Sequence, residues 1–389
     1  VYEVNSIKKV SNFLHWLFEK IIDKLSFRRF VIDHKYDMLN LTETAPYLNL
    51  KKLFAVIGTK PDLIILNWIS GFINSRDIKT LYNKYKIPFI WILHDYAPLT
   101  GGCHVAWNCN GFIDFCGNCP GLNSSFEKDK TNHILMRKLK NLSDIPVFTT
   151  GWSDYILNKS HHSRLFKNRT LITISPFIDS TLFCPSENKE LSKKKLNIPH
   201  KNKVILFGAQ NVFSEYKGIK HLILALAELN KYLLSGIDFN LVTFGKANEE
   251  ILTPINLPWI SLGMMDNPSL AYQAADVFVA PTLQDTGPMT VCESLMCGIP
   301  VVGYPMGIIP DVITENETGC IVAEGNIELL AEKIASILNL SKQEYQKISG
   351  NCREIALEKF SEDAQMQSFR NLFDLLKLDQ VSELEYDNH

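Results

Sequence analysis

Pro281-Thr282-Leu283-Gln284-Asp285-Thr286-Gly287-Pro288-Met289-Thr290-Val291-Cys292-Glu293 is the stretch from which the rest of the chain can be read. It follows an apolar run at 277–280 and leads into helical spacing at 289–297. Gly298-Ile299-Pro300-Val301-Val302 then opens another apolar run. Strand, polar loop, helix and strand in that order make the βαβ unit of a parallel sheet. In such a sheet the residues just past a strand line the ligand crevice. Asp285 lies in that loop. The backbone N–H groups from Thr286 to Thr290 open a helix N-terminus, a place that favours an anion or a polar sugar. Glu293 sits one turn inside the helix, where its carboxylate could accept hydrogen bonds from a vicinal diol such as ribose. The plainer alternative makes Asp285 a helix-start acid and Glu293 a solvated helix residue.

Outward from this stretch the same alternation repeats. Apolar runs at 204–207, 239–244, 259–262, 277–280 and 300–303 alternate with helical patterns at 219–232, 269–274, 289–297 and 327–338. An earlier series has runs at 62–68, 88–94, 147–150 and 170–174, with a helical pattern at 75–85. Apolar strands separated by helices imply a parallel sheet covered on both faces. Between 185 and 200 the composition turns to Ser, Glu, Asn and Lys, which marks a boundary. The expected class is α/β, with two doubly wound, Rossmann-like parallel-sheet domains facing a cleft. The expected domains are 1–185, on the acceptor side, and 186–360, on the donor side. A terminal helix and tail at 361–389 is expected to cross back to the first domain.

Composition bounds the function. The 389 residues are 46% hydrophobic and 21% charged, with a formal net charge of -2. That balance is globular and gives no basic footprint for nucleic acid. No apolar run reaches the length of about 20 residues that spans a bilayer. The chain begins at Val1, and no signal-peptide pattern follows, so an upstream strand is expected to be missing. Residues 5–30 space Phe13, Leu14, Leu17, Ile21, Ile22 and Leu25 helically among Lys and Arg. Such a helix lies either on an anionic membrane surface or against a sheet of its own domain.

The stretch at 281–302 resembles the nucleotide-sugar site of retaining glycosyltransferases of the GT-B fold, glycosyltransferase family four in particular. Their signature is an acid, seven residues, a Glu, a small-residue helix end and a Gly-x-Pro-Val-Val strand. Here it runs from Asp285 to Glu293, with Asp in place of the usual first Glu. The resemblance continues through Gly307, Pro310-Asp311 and Gly319 with Ile321 and Val322. It implies that Glu293 holds the ribose, Lys217 the diphosphate beside Gly208, and Asp285 with the Gly287 backbone the sugar hydroxyls. The turn Gly287, Pro288, Met289 and Thr290 would line the donor. The family places an Arg with that Lys; no Arg occurs from Gly208 to Tyr216, which leaves Lys246 as the other candidate cation. His94, after the strand at 88–93, would steady the transferred sugar. Asn67 and Trp68 would line the acceptor side.

Four of the nine cysteines, Cys103, Cys109, Cys116 and Cys119, follow C-x5-C-x6-C-x2-C. Four thiolates at this spacing suit a structural Zn²⁺. Free thiols and, in an oxidising compartment, two disulfides are the alternatives. The run from His94 to Pro120, HDYAPLTGGCH…CGNCP, also resembles a colanic-acid and exopolysaccharide subset of family four. The amino-terminal Gly-rich loop of that family has no counterpart in the chain.

The expected function is therefore retaining transfer of a sugar from a UDP- or GDP-sugar to a glycan or lipid-linked acceptor. No Asp-x-Asp pair occurs, so no catalytic metal is expected, and zinc at the cysteines would be structural. The resemblance places the protein in the cytoplasm, peripheral to the inner face of the membrane. A catalytically silent sugar-binding subunit and a sugar-nucleotide epimerase of the same architecture are the alternatives.

Overall fold

The computed structural model describes residues 33–38, 43, 58–70, 72–247 and 257–386. The basic helical stretch expected at 5–30 lies outside the described residues. The chain divides into two compact units. The first runs through Gly151 and includes Ile156–Ile172; the second comprises Trp152–Tyr155 and Thr173 onward.

The first unit is built on a four-stranded sheet in the order β1 (Ile64–Leu66), β2 (Phe89–Leu93), β3 (Val147–Gly151) and β4 (Thr170–Thr173). β2 runs parallel to both neighbours, in register Ile64↔Phe89 and Phe89↔Val147. All five residues of β2 are buried, as expected of a central strand with both faces covered. Helices α1 (Ser75–Tyr85), α2 (Lys130–Leu142) and α3 (Asp154–His162) connect the strands. Asn74 and Asp77 close a capping box on α1, and Asp129 caps α2 by accepting from Thr131 and Asn132. Asn141 donates to the Ser75 hydroxyl at 2.9 Å and Lys79 to the Lys140 carbonyl at 3.0 Å, which ties α1 to α2.

The second unit holds strands β5 (Lys203–Asn211), β6 (Phe239–Lys246), β7 (Trp259–Ser261), β8 (Val277–Ala280), β9 (Val301–Gly303) and β10 (Gly319–Ile321). Its helices are α4 (Lys189–Lys195), α5 (Ile219–Glu228), α6 (Ser269–Ala274), α7 (Met289–Met296), α8 (Ile309–Val312), α9 (Ile327–Leu338), α10 (Lys342–Phe360) and α11 (Glu362–Tyr386). The strand order is β10-β9-β8-β5-β6-β7, and each strand runs parallel to its neighbours. Counted within this unit, that is the doubly wound Rossmann order. It reverses direction between β5 and β8.

One carboxylate anchors the near edge of this unit. Asp276, buried just before β8, meets Lys189 at 3.0 Å, Lys193 at 3.4 Å and the Val204 N–H at 2.8 Å. Burial works against its charge, yet the lysines and the N–H hold it below the ordinary carboxylate value. Residues 173–185, expected in the first domain, belong to the second unit. Ile178 donates to the Phe360 carbonyl at 2.9 Å. The Arg353 guanidinium bonds the carbonyls of Phe183 at 2.8 Å, Met296 at 2.6 Å and Ser180 at 3.0 Å. The cohesion of the segment is thus with α7 and α10. The start of α11 also joins this unit, through Ser368 and Gln365 on the backbone of Ser175. Among the described residues no helix is long and apolar enough to cross a membrane.

Candidate functional site

The reversal between β5 and β8 opens a crevice at the carboxyl ends of those two strands, because the helices leave in opposite directions there. The loops after β5 and β8 are the two that carry Lys217 and Asp285. They are fastened together by backbone: the Tyr216 carbonyl accepts from Leu283 at 2.8 Å and from Gln284 at 3.3 Å. Gly218 follows with φ +74, and a Cβ there would lie 1.8 Å from the Pro281 carbonyl oxygen. Only glycine permits both that turn and that approach. On the far side, Ser153 donates to the Thr286 carbonyl.

Held this way, Lys217 Nζ lies 2.6 Å from Asp285 Oδ2, with the two side chains 23% and 14% exposed. Burial opposes the ammonium, but Asp285 outweighs it and the Lys217 pKa is raised. Burial likewise opposes the Asp285 carboxylate, and Lys217 with the Gly287 and Thr286 N–H groups lowers its pKa. The Gly287 N–H is 3.0 Å from Asp285 Oδ1. Both groups are therefore ionised, and one of three ammonium donors is spent on the carboxylate. The other donors can meet a phosphate oxygen.

Pro288 precedes α7 and no side chain caps that helix. Its first N–H groups, at Met289 and Thr290, thus face the loop rather than a capping oxygen. Glu293, on the same helix, has its Oε2 2.7 Å from the Tyr272 hydroxyl. Burial pushes its carboxyl up to about 7, while the bond from Tyr272 pulls the other way. Tyr272, on α6, is fully buried. Sequence spacing gave no sign of it, because its partner lies on another helix across β8. The Gln284 side chain is also buried, and its Oε1 has no hydrogen-bond partner among the described residues.

Other expected residues fall less directly. A Cβ on Gly208 would stand 2.0 Å from the Phe244 ring, so this glycine makes room for a packed aromatic. Lys246 closes β6 with an exposed side chain, and its carbonyl accepts the Val212 N–H at 3.0 Å. Asp311 Oδ2 accepts the Asp154 N–H at 3.1 Å; burial raises its pKa.

His94 belongs to the first unit, just after β2. Its Nε2 is 3.2 Å from Asn67 Oδ1, and burial lowers its pKa against the raising effect of Asp95. In the same unit Lys138 is 0% exposed, with its ammonium 2.6 Å from the Ala97 carbonyl and 2.9 Å from that of Thr100. Burial lowers its pKa, opposed by the charge of Glu43. On a helix of mixed polarity this lysine reads as solvated, so its role was missed. Cys103, Cys109, Cys116 and Cys119 are all free thiols. Burial pushes Cys103 up and Cys116 up to about 12. Among the described residues no group of three or more His, Cys, Asp or Glu is placed to hold a metal ion. The loop that carries the four cysteines is tied down by polar bonds, such as Cys119 N–H to Asp129 at 2.9 Å.

Residues 188–354, which contain both switch-point loops, match the family model described as Glycosyl transferases group 1. That segment is similar to a glycosyltransferase group 1 domain. Around that domain, N-acetyl-alpha-D-glucosaminyl L-malate synthase of Bacillus anthracis is 21% identical over 329 residues, 82% of this chain and 80% of that protein. Among solved structures, sucrose-phosphate synthase from Thermosynechococcus elongatus has a TM-score of 0.63 at 19% identity, covering 85% of this chain and 77% of its own. Anabaena Alr3699/HepE, solved in complex with UDP-glucose, has a TM-score of 0.61 at 16% identity, covering 84% and 82%. The fold that holds this segment is that of the GT-B glycosyltransferases.

Proposed function

We propose that the protein is a retaining glycosyltransferase of family four, of the colanic-acid or exopolysaccharide kind. It would move a sugar from a UDP- or GDP-sugar to a hydroxyl of a glycan or lipid-linked saccharide. The observation that carries this reading is the Lys217–Asp285 pair at the strand-order reversal, beside the uncapped start of α7. A nucleoside diphosphate gains negative charge as the glycosidic bond breaks, and preorganised donors stabilise that charge most where water is scarce. Lys217 and the first N–H groups of α7 supply those donors. Asp285 holds Lys217 in place and, with the Gly287 backbone, addresses sugar hydroxyls. Glu293, steadied by Tyr272, accepts from the ribose diol once ionised. His94 would steady the transferred sugar. No metal enters this scheme, and association with a membrane surface would bring in a lipid-linked acceptor. The complex of HepE with UDP-glucose supports a nucleotide-sugar donor.

The test is to incubate the protein with UDP-, GDP- and dTDP-sugars, saccharide acceptors and a chelator. Release of nucleoside diphosphate with an anomerically retained product is expected. Donor binding without turnover would favour the silent sugar-binding subunit instead.

A further inference from the structure

Trp68 is a large side chain of the first unit left exposed beside polar neighbours. The indole is 50% exposed just beyond β1. Its neighbours are hydrogen-bonding groups, each already oriented. The His104 ring stands 5.3 Å from the indole, centroid to centroid, at 59°. His104 Nδ1 lies 3.1 Å from Asp95 Oδ2, while Asp95 Oδ1 accepts the Ala97 N–H at 2.6 Å. Asn67 Oδ1 meets His94 Nε2 at 3.2 Å. The His104 backbone is pinned on both sides, donating to the Asp37 carbonyl at 3.0 Å and accepting from Tyr96 at 3.2 Å. Lys138 fixes the loop between them through the carbonyls of Ala97 and Thr100.

An exposed indole face with the half-buried His104 ring against it and the exposed Asn67 amide next in the chain suits one chemical class. A pyranose offers a C–H face to stack on the indole and hydroxyls around its rim to bond the polar groups. An acyl chain would cover the exposed Asn67 amide without offering it a hydrogen bond. A phosphate would want a cation, and the ammonium of Lys138 is fully buried on backbone carbonyls. We infer that Trp68 and His104, with Asp95 orienting His104, form a platform that selects an acceptor by a pyranose ring of that acceptor. This rests on the glycosyltransferase reading and adds to it the residues that choose the acceptor.

The full chain is assayed with a methyl pyranoside acceptor and, in parallel, with a simple non-sugar alcohol, while acceptor and donor KM are measured separately. Trp68→Ala should raise the pyranoside KM by about tenfold or more and leave the donor KM unchanged. Trp68→Phe should recover part of the loss, and Asp95→Asn should raise the pyranoside KM through His104. An unchanged pyranoside KM in Trp68→Ala, or an equal rise for the alcohol, overturns the platform. Should the wild type release no nucleoside diphosphate from any donor, the enzymatic reading fails, and the platform is judged by binding alone. Trp68 is one of six tryptophans, so the fluorescence difference between wild type and Trp68→Phe isolates its signal. Quenching of that difference by methyl pyranosides sustains the platform; its absence overturns it.

Discussion

Glu293→Gln tests the electrostatics of the site without altering its shape. In the folded protein burial raises this carboxyl from the ordinary 4.5 to about 7. The unfolded chain exposes it to water and returns it to the ordinary value. The gap corresponds to about 3 kcal/mol. Because the native state holds the proton more tightly, the contribution is fully present below about pH 4.5 and is lost as pH rises through about 7. Glutamine can still accept the Tyr272 hydroxyl through its amide oxygen and never ionises. Wild type should therefore lose about 3 kcal/mol relative to Glu293→Gln between about pH 4.5 and 8, or about 6–12 °C in Tm for a unit of this size. Calorimetric melts of both proteins across that range give the difference curve directly, and the other carboxylates cancel from it. A flat difference would refute the buried, proton-holding assignment. Nucleotide affinity supplies a second readout with the same origin. The ionised carboxylate is the better acceptor for a diol, so UDP should bind wild type more tightly as pH rises through this window. The glutamine variant should show only the trend that comes from ionisation of the UDP terminal phosphate, at about pH 6.

Two further outcomes follow from the charges and thiols. Lys217→Met leaves Asp285 buried and unpaired, which should cost about 3–5 kcal/mol, whereas Lys217→Met with Asp285→Leu should recover most of it; a double-mutant cycle by chemical denaturation measures the coupling, and additive losses would break the pair. Protein purified without chelator should hold zinc below about a tenth of stoichiometry, and Cys116, pushed up to about 12, should alkylate slowly at pH 8 until the chain is unfolded; elemental analysis and peptide mass spectrometry check both, and stoichiometric zinc would reinstate the metal cage.

Much of the second unit was legible because its strands are apolar runs bounded by Gly, Pro and Asp, and those local signals match the packed result. The run at 277–280 is β8, and the residues read as its loop sit at the strand-order reversal. Lys217 and Asp285 were read as separate contacts to a donor, however, and their mutual ion pair was not foreseen. Nothing in one dimension says that loops 68 residues apart share a backbone acceptor at Tyr216. Tyr272 escaped for the same reason, since helical spacing reports which face of α6 is buried but not which carboxylate faces it. The boundary at 185 followed a real change of composition, yet packing obeyed Arg353, which bonds the carbonyls of Ser180 and Phe183 as well as that of Met296 and so draws residues 180–183 onto the second unit. The cysteine spacing suited a metal, but spacing constrains only the chain between ligands and not where the sulfurs point.

Lys138 has a bearing on how the first unit assembles. An ammonium wholly withdrawn from water is tolerable only when its acceptors are already in position. Helix α2 therefore cannot seat before the backbone at 97–100 arrives, and that backbone cannot disperse while the helix remains. Helix and loop are therefore expected to gain and lose their order together.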